Sequence, residues 1–463
     1  MAGPTPLTAV ETFLQDYPNI KYIPPSSAEF AATREVWNRS RRDIPLAIVQ
    51  PQSPKDVAAL IKFLNSSAIS FTLRSGGHNL EGHALVQNAL LIDLRALKSV
   101  TIAADRNSAT VGGGILQGDL VNKLGHESLA TPTGTVPSVG YIGWACYGGY
   151  GPFSSHWGLG VDQIIGATVV NPSGELVKAD EALLEGIRGA GGVFGVIIDL
   201  TIKVFPLTSI LAGPIIFDSS DIVRSFTEFN SAYNNLEDTE DIPPQLSLQR
   251  ITFNSPRGLT FAALFAWSGV DFEEGKRWSE KIASLGPTKM NMVAPTTIPE
   301  WIAGAGAHVP KNVYGSAWTH NVSCITTDVA ETIGRNLARL PADPGAMFSL
   351  HQLRGPSAAP QTQASVFGAR ERHFMVEILG YAVLPEKQAE SEAWAVQMAT
   401  EVEKAASGSL LSTSYVSVFC SARADSATAW VEKVYGNKSE VLRGLKTIFD
   451  PKNVFKFTVP SLE

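Results

Sequence analysis

The chain has 463 residues, of which 44% are hydrophobic and 17% charged, with a net charge of −7 at pH 7. This length exceeds one ordinary core and favours two closely packed domains, and the acidic balance argues against a nucleic-acid partner. Three widely separated cysteines fit neither a disulfide framework nor a metal site. No apolar run is long enough for a membrane span. Since no signal peptide is evident, we expect a cytoplasmic protein, or a secreted one if a leader is missing from this sequence.

Short helices, short strands and glycine turns alternate over the first 207 residues. Capping boxes and amphipathic spacing predict helices at 8–17, 26–36, 57–65 and 116–124. Apolar or alternating runs predict strands at 47–50, 68–72, 89–94, 109–112, 166–170 and 196–204. This order indicates a first domain of the α+β class over residues 1–207.

The pattern changes after Pro206. Two strands at 246–253 and 259–267 flank a run of turn residues, which is a hairpin signal. Further strands are predicted at 346–353 and 374–383, and helices at 272–285, 326–339 and 388–406. An antiparallel sheet with helices on one face fits this order. We therefore expect a second, substrate-binding domain over residues 208–424.

The most informative stretch is Arg74-Ser-Gly-Gly-His78, which follows a predicted strand. Two adjacent glycines remove the Cβ atoms that would keep a ligand from the backbone. Such a turn can point consecutive N–H groups at a phosphate. Arg74 adds a cation and His78 a nucleophilic imidazole. A lone Gly-Gly-His triplet is weak evidence, because an ordinary surface turn has the same sequence.

Further motifs follow this turn in order. They are Leu91-Ile-Asp-Leu94, Val111-Gly-Gly-Gly114, Gly140-Tyr-Ile-Gly143, Gly148-Gly-Tyr-Gly151, Gly158-Leu-Gly-Val-Asp162 and Arg188-Gly-Ala-Gly-Gly-Val-Phe-Gly-Val196. Together they resemble the FAD-binding domain of the vanillyl-alcohol-oxidase superfamily, and within it the berberine-bridge-enzyme-like oxidases. The resemblance implies a PCMH-type FAD-binding domain of two subdomains, with its core at about 43–207. The end of the chain, Trp430–Asn437 and Asp450–Phe455, is similar to the subfamily's C-terminal segment, so residues 425–463 are expected to return to the FAD domain.

The resemblance implies that His78 binds FAD covalently through the flavin 8α-methyl group. Relatives with a second link carry a cysteine where this chain has Val136, and Cys146 lies out of register. We therefore expect one covalent bond and no cysteinyl link, as in the 6-hydroxynicotine-oxidase type.

The remaining cofactor contacts are also implied by the resemblance. The pyrophosphate is expected among Arg74, Ser75, Gly76, Gly77, Asn79, Gly82 and His83. The flavin and ribityl chain are expected along Val139, Gly140, Gly143, Gly148, Gly149 and Tyr150. The adenosine half is expected near Asp162, Gly192, Gly195 and Val196. Asn453 is a candidate from the C-terminal segment.

The function implied is a flavoprotein oxidase that removes hydride from an alcohol, amine or activated C–H of a small molecule. Val139 matches a position where a small residue admits O2, which favours O2 as acceptor and hydrogen peroxide as product. Three alternatives remain: a dehydrogenase with another acceptor, a non-redox cyclase-like enzyme that keeps the flavin, and a binding protein. Neither the substrate nor the oligomeric state can be read from the sequence.

The catalytic residues are expected on strands of the second domain, because oxidation needs a base for the substrate proton. Alternation places Met375, Glu377, Leu379 and Tyr381 on one strand face. Glu377 with His351 or Gln352 is the leading acid/base group, although a solvated or ion-paired Glu377 fits the sequence equally well. Tyr381, Tyr150 and Tyr415 are further candidates. The chain departs from the family at Ser417 and at Ser365–Arg370, so the usual base and substrate-polarising groups are in doubt.

Overall fold

The computed structural model describes residues 5–415 and 427–462. The helices of the first part are α1 (Pro6–Gln15), α2 (Phe30–Arg34), α3 (Pro54–Ser66), α4 (Gln117–Gly125), α5 (Tyr141–Cys146), α6 (Ser154–Trp157), α7 (Gly160–Gln163) and α8 (Glu181–Ala190). The strands are β1 (Lys21–Ile23), β2 (Ala47–Gln50), β3 (Phe71–Arg74), β4 (Leu90–Asp93), β5 (Val100–Ile102), β6 (Ser108–Gly112), β7 (Leu129–Ala130), β8 (Ile164–Val170), β9 (Leu176–Lys178), β10 (Val196–Lys203) and β11 (Phe205–Pro206).

These elements form two main sheets, each with its own core. The first has the order β1-β2-β4-β3, and its last three strands are parallel. Helix α3 covers it through Leu60 and Leu64. The second is antiparallel, with the order β5-β6-β10-β8-β9, and packs against α4 and α8 through residues such as Leu120 and Ile187. This agrees with the expected two-subdomain, PCMH-type arrangement.

The later part of the chain builds one large sheet. Its strands are β12 (Ile210–Phe217), β13 (Leu246–Ser255), β14 (Gly258–Trp267), β15 (Thr288–Asn291), β16 (Ala294–Thr296), β17 (Tyr314–Val322), β18 (Ala346–Leu353) and β19 (His373–Ala382). Its helices are α9 (Ile222–Thr239), α10 (Phe272–Ala283), α11 (Ile298–Gly306), α12 (Thr327–Leu337) and α13 (Gln388–Ala405). The strand order is β15-β12-β14-β13-β18-β19-β17, all antiparallel, with β16 also paired to β12.

Helices cover one face of this sheet, as expected. Phe226 of α9, Ile333 of α12 and Met398 of α13 share a core with Phe374, Val376 and Ile378 of β19. Because side chains alternate along a strand, Met375, Glu377 and Tyr381 point to the opposite face. Met375 packs there against Tyr150, and Tyr381 against Trp37. The helix-free face of the sheet is therefore turned toward the first part of the chain.

Several element boundaries differ from the sequence predictions, and the structure gives a local reason for two of the differences. Helix α1 begins at Pro6 rather than Thr8, because Thr5 accepts a hydrogen bond from the Thr8 amide. Helix α2 stops at Arg34, since the following residues turn to meet β17 and form a bridge between Asn38 and Val313. Strand β3 starts three residues later than predicted.

The C-terminal helices are α14 (Ala427–Tyr435) and α15 (Ser439–Phe449). At the end of α15 the buried Lys446 ammonium donates to the Val193 carbonyl at 3.0 Å and to Asp450 Oδ2 at 2.7 Å. Asp450 in turn accepts the amides of Val454 and Phe455. This cluster turns the chain back toward β10. Among the described residues, no helix has the length and apolar character needed to cross a bilayer.

Candidate active site

A cavity of about 340 Å³ lies where the two sheets of the first part meet the helix-free face of the large sheet. Several sequence-predicted residues line it: Arg74, Ser75, Gly76, Gly77, His78, Asn79, His83, Val139, Gly140, Gly143, Gly192, Gly195, Glu377 and Tyr415. The cavity has the size of a cofactor or substrate site. The structure therefore brings most of the predicted cofactor residues and two predicted catalytic residues to one place.

Two glycine loops meet backbone to backbone at the cavity wall. A Cβ on Gly76 would lie 2.2 Å from the Gly140 nitrogen, so no larger residue fits there. Ser75 Oγ donates to the Gly113 carbonyl at 3.0 Å and fixes the start of the turn. The two glycines thus have a packing role in addition to lining the cavity.

Arg74 lines the cavity, but its charge is already paired. Its guanidinium is buried and donates to Asp93 Oδ2 and to the carbonyls of Thr33 and Glu35. Burial opposes the charge on Asp93, yet hydrogen bonds from Arg95 and the charge of Arg74 lower the pKa of that carboxyl to about 2. Arg74 therefore lines the cavity, as expected from the sequence for a cofactor-binding residue, and it also ties the glycine turn to β4 and to the segment after α2.

His78 presents its imidazole to the cavity. Burial lowers the pKa of His78 to about 4, so the ring is neutral near pH 7 and keeps a nucleophilic lone pair. The Trp37 indole stacks on this ring, with centroids 5.6 Å apart and planes tilted by 21°. The local environment therefore holds a neutral, oriented imidazole.

Two other glycines leave room for a ligand. Ideal Cβ atoms on Gly143 and Gly192 would meet no protein atom within 4 Å, and both residues line the cavity. Side chains at these positions would occupy cavity space rather than clash with the protein. The cavity therefore has free space beside Gly143 and Gly192, and the His78 residue of the glycine turn lines it as well. These residues fit a large planar cofactor such as FAD.

Gly148 and Gly149 are not among the described residues that line the cavity. A Cβ on Gly148 would lie 2.8 Å from the Phe367 ring, and one on Gly149 would lie 2.7 Å from the Gly160 Cα. These close contacts join the segment after α5 to α7 and to the loop before β19. Gly148 and Gly149 therefore allow these segments to pack closely. The family resemblance had instead implied that both residues contact the flavin.

Four more predicted cofactor residues also lie away from the cavity lining. Asp162 accepts the Leu159 amide and forms an ion pair with Arg370 at 2.7 Å. Gly82 closes a turn by donating its amide to the Asn79 carbonyl. Val196, the first residue of β10, is buried in the core of the first sheet, and Asn453 lies in the turn after Asp450. Local structure accounts for all four.

Glu377 and His351 form the polar group on the sheet side of the cavity. Glu377 Oε2 lies 3.5 Å from His351 Nε2, and both side chains are less than one-fifth exposed. His351 Nε2 also lies 3.0 Å from Ser349 Oγ, and Gln249 Nε2 donates to that hydroxyl at 2.8 Å. A carboxylate at the cavity wall is thus linked to an imidazole behind it, an arrangement that can accept and pass on a proton.

Gln352 is not part of this group. Its side chain points to the helix-covered face, where Tyr233 donates to its Oε1 at 2.6 Å and its Nε2 donates to Glu237. Strand alternation explains the difference, because neighbouring residues on β18 face opposite sides. Of the two residues that the sequence offered as partners for Glu377, the structure selects His351.

Tyr381 shares the strand face of Glu377 but does not line the cavity. It is fully buried, and its hydroxyl donates to the Leu80 carbonyl at 2.8 Å. Its phenol therefore holds the segment after the glycine turn. The sequence pattern had instead predicted that this phenol stands beside the Glu377 carboxylate.

Tyr150 is buried behind the cavity and close to Tyr415, with ring centroids 5.6 Å apart. His373 Nδ1 lies 2.6 Å from the Glu371 carbonyl, which can only accept, so this nitrogen carries the proton. Burial lowers the pKa of His373 to about 4, so its Nε2 is an acceptor near pH 7. Tyr150 consequently donates to His373 Nε2, at 3.1 Å.

Sequence reasoning missed several of these residues. Trp37 and His373 were not singled out, although His373 lies on the face of β19 that alternation assigned to Glu377. Phe455, Phe457, Thr458 and Val459 line the cavity from the C-terminal segment. Cys146 also lines it and is buried, which raises the pKa of its thiol. Two alternate aromatic residues, Phe455 and Phe457, were the available signal for these C-terminal lining residues.

Known proteins match this chain over the same regions. Residues 45–180 match the family described as FAD binding domain, and residues 417–460 match the family described as berberine and berberine like. FAD-linked oxidoreductase aurO of Gibberella zeae is 30% identical over 444 residues, which are 95% of this chain and 85% of that protein. (R)-6-hydroxynicotine oxidase of Paenarthrobacter nicotinovorans is 32% identical over 223 residues, covering 47% of this chain and 49% of that protein.

The fold is found in solved structures as well. The crystal structure of 6-hydroxy-D-nicotine oxidase from Arthrobacter nicotinovorans has a TM-score of 0.81 and 24% identity, and covers 95% of this chain and 96% of that one. The aurO match extends over almost the whole chain. The two family matches cover the glycine turn and the C-terminal segment, both of which line the cavity. This chain belongs to the berberine-bridge-enzyme-like FAD-linked oxidoreductases of the vanillyl-alcohol-oxidase superfamily.

Proposed function

We propose that this FAD-linked oxidoreductase is an oxidase with one covalent flavin link through His78. It removes hydride from an alcohol, amine or activated C–H of a small organic substrate and passes the electrons to O2. The observation that carries the proposal is the shared cavity of His78, Gly143, Gly192 and Glu377. Bound FAD would supply the hydride acceptor, and the residues of this chain would supply its attachment and the base.

FAD is proposed to be held by the glycine turn at residues 74–78, by Gly143 and Gly192, and by the C-terminal residues Phe455, Phe457, Thr458 and Val459. The His78 imidazole would be the attachment point, where an N–C bond to the 8α carbon would replace the imidazole N–H hydrogen and one hydrogen of the 8α-methyl group. O2 would be the oxidant for this attachment, taking up the two electrons and two protons as H2O2. A thiol link is not proposed, since Val136 stands where relatives carry cysteine and burial raises the pKa of Cys146.

Glu377 is proposed as the base. As hydride leaves the substrate carbon, the substrate's O–H or N–H proton moves to the Glu377 carboxylate, and His351 Nε2 at 3.5 Å can take it onward. Tyr415 lines the same cavity and would offer an aromatic surface to the substrate. Oxygen is proposed as the acceptor because Val139, a small residue, lines the wall next to Gly140.

The test starts with acid precipitation of the purified protein, followed by a spectrum and peptide mass analysis of the pellet. A yellow pellet with flavin on the peptide that contains His78 is expected. His78→Ala should give a colourless pellet, while His308→Ala, which removes an exposed histidine, should stay yellow. Flavin on a Cys146 peptide, or none on the protein, would contradict the covalent proposal.

The redox part is tested separately by mixing candidate substrates with the protein under anaerobic conditions. An alcohol, amine or activated C–H compound should bleach the flavin absorbance, and admission of air should restore it with stoichiometric H2O2. If air does not restore the bleached flavin absorbance but a dye acceptor does, the protein is a dehydrogenase. The absence of bleaching across all three substrate classes would count against an oxidase of this kind.

A further inference from the structure

Trp37 contacts the glycine turn in two ways. Its indole stacks on the His78 imidazole at 5.6 Å between centroids, and its amide donates to the Gly77 carbonyl at 3.0 Å. Trp37 is not among the described residues that line the cavity, whereas His78 is. The indole therefore covers the imidazole from the protein side and leaves it open toward the cavity.

The same residue is fixed to the large sheet. Trp37 Nε1 donates to the Pro310 carbonyl at 2.9 Å, and its own carbonyl accepts the Val313 amide at 2.9 Å. Its ring meets Tyr381 edge-on, with centroids 4.9 Å apart. Tyr381 also donates to the Leu80 carbonyl, just beyond His78. Trp37 is thus held on several sides by residues that are far from it in sequence.

We infer that Trp37 is the positioning residue for flavin attachment, because it fixes the plane of the His78 ring for bond formation with the 8α carbon. This inference rests on the proposed covalent link and on the O2-dependent chemistry written for it above. An imidazole can rotate about its Cβ–Cγ bond, and a stacked indole restricts that rotation to ring planes near its own. Bond formation depends steeply on alignment, and a misplacement of about 1 Å can slow a reaction about 100-fold.

The anchoring to Pro310 and Val313 adds a second consequence. The indole reaches this position only when the segment before β17 is docked against residues 36–40. Attachment of the flavin is therefore expected to follow docking of the large sheet. A chain with a loose segment here would bind FAD but attach it slowly.

The test compares FAD binding with attachment in apoprotein prepared from riboflavin-starved cells. Trp37→Leu and Trp37→Met remove the ring, Trp37→Phe keeps one, and Trp278→Leu changes a tryptophan that packs against the large-sheet core away from the cavity. Fluorescence quenching gives the Kd for FAD, and the increase of acid-stable flavin at saturating FAD in air gives the attachment rate. Thermal melting confirms that each variant is folded.

The expected result is an attachment rate at least 10-fold lower in the two ringless variants, at saturating FAD, and a rate within threefold of the wild type in Trp37→Phe and Trp278→Leu. Equal rates in a ringless variant would overturn the inference. So would a change confined to the Kd, which would make Trp37 a binding residue only. If one ringless variant does not fold, the other decides. A wild type without acid-stable flavin would instead remove the proposed covalent link, and this inference with it.

Discussion

Gly76 and Gly140 lie in direct backbone contact, and an ideal Cβ on Gly140 would be 2.5 Å from the Gly76 nitrogen and 2.6 Å from Ser75 Oγ. The glycine turn and the loop that precedes α5 are therefore one unit, although they are far apart in sequence. Both line the cavity. Any side chain at this junction must separate the two loops.

The first prediction concerns this junction. Gly76→Ala places a methyl group against backbone that cannot move aside, so the two loops separate and the cavity wall opens. The purified variant should carry less than a tenth of the wild-type flavin, measured from the ratio of flavin to protein absorbance. Gly304→Ala, where a Cβ meets nothing within 4 Å, is the control. Wild-type flavin content in Gly76→Ala would contradict the packing described here.

The second prediction separates cavity filling from packing. Gly143 lies in α5 and has free space at its Cβ, so Gly143→Ala should fold at least as well as the wild type, since alanine favours helix by about 1 kcal/mol. The added methyl group nevertheless enters the cavity, and the Kd for FAD should rise about 10-fold. Gly444→Ala in α15, also with free space, should keep the wild-type Kd. An unchanged Kd in Gly143→Ala would show that FAD does not approach α5.

The third prediction concerns the base. Glu377→Gln keeps the size of the side chain but cannot accept the substrate proton, so the anaerobic rate of flavin reduction should fall about 100-fold or more. Acid-stable flavin should be unaffected, because Glu377 lies on β19 of the large sheet and not in the glycine turn that carries His78. Glu386→Gln alters an exposed carboxylate beyond the same strand and serves as the control. A reduction rate within threefold of the wild type would assign proton removal to another group.

The fourth prediction concerns acid stability. The pKa of His373 is about 4 in the folded protein and about 6.5 in an unfolded chain, so between these values the unfolded state binds the extra proton. Stability therefore falls as pH is lowered from about 6.5 toward 4. In His373→Gln the free energy of unfolding should depend less on pH, by about 1 kcal/mol per pH unit near pH 5. Urea titrations from pH 7 to pH 4.5 measure this slope. An identical slope in the two proteins would mean that His373 has the same pKa in the folded and unfolded states.

Local patterns in the sequence predicted much of the fold. Strand β18 and helix α3 with its Ser53 cap follow from apolar periodicity and a capping residue, and the hairpin β13–β14 from its turn residues. Helix α9 and strand β17 were missed. Polar residues such as Asn230 of α9 and Asn321 of β17 interrupt the apolar pattern, yet both are buried and bond to Arg250 of β13 and to Thr413, respectively. Such pairs are created by tertiary contacts and leave no local signal.

The same limit applies to the cavity. The glycine turn and His78 could be located because the motif is contiguous, and Glu377 because β19 alternates. The sequence could not show which glycines line the cavity and which pack against other backbone. Gly143 and Gly149 lie in similar glycine-rich stretches, but a Cβ on Gly143 would meet no protein atom within 4 Å, whereas one on Gly149 would lie 2.7 Å from the Gly160 Cα. Likewise, the sequence could not show that Asp162 pairs with Arg370 rather than with a ligand, because the two residues are about two hundred positions apart.

The C-terminal residues that line the cavity have a consequence for how the protein matures. Phe455 and Val459 share one cavity with Phe71 and Thr72, so the site needs segments that leave the ribosome at widely separated times. Contacts of such long sequence separation form late and slow folding. The growing chain can fold the sheet of β2, β3 and β4 while synthesis continues, but it cannot enclose a cofactor. Capture of a cofactor in this cavity is therefore expected to follow synthesis of residues 455–459.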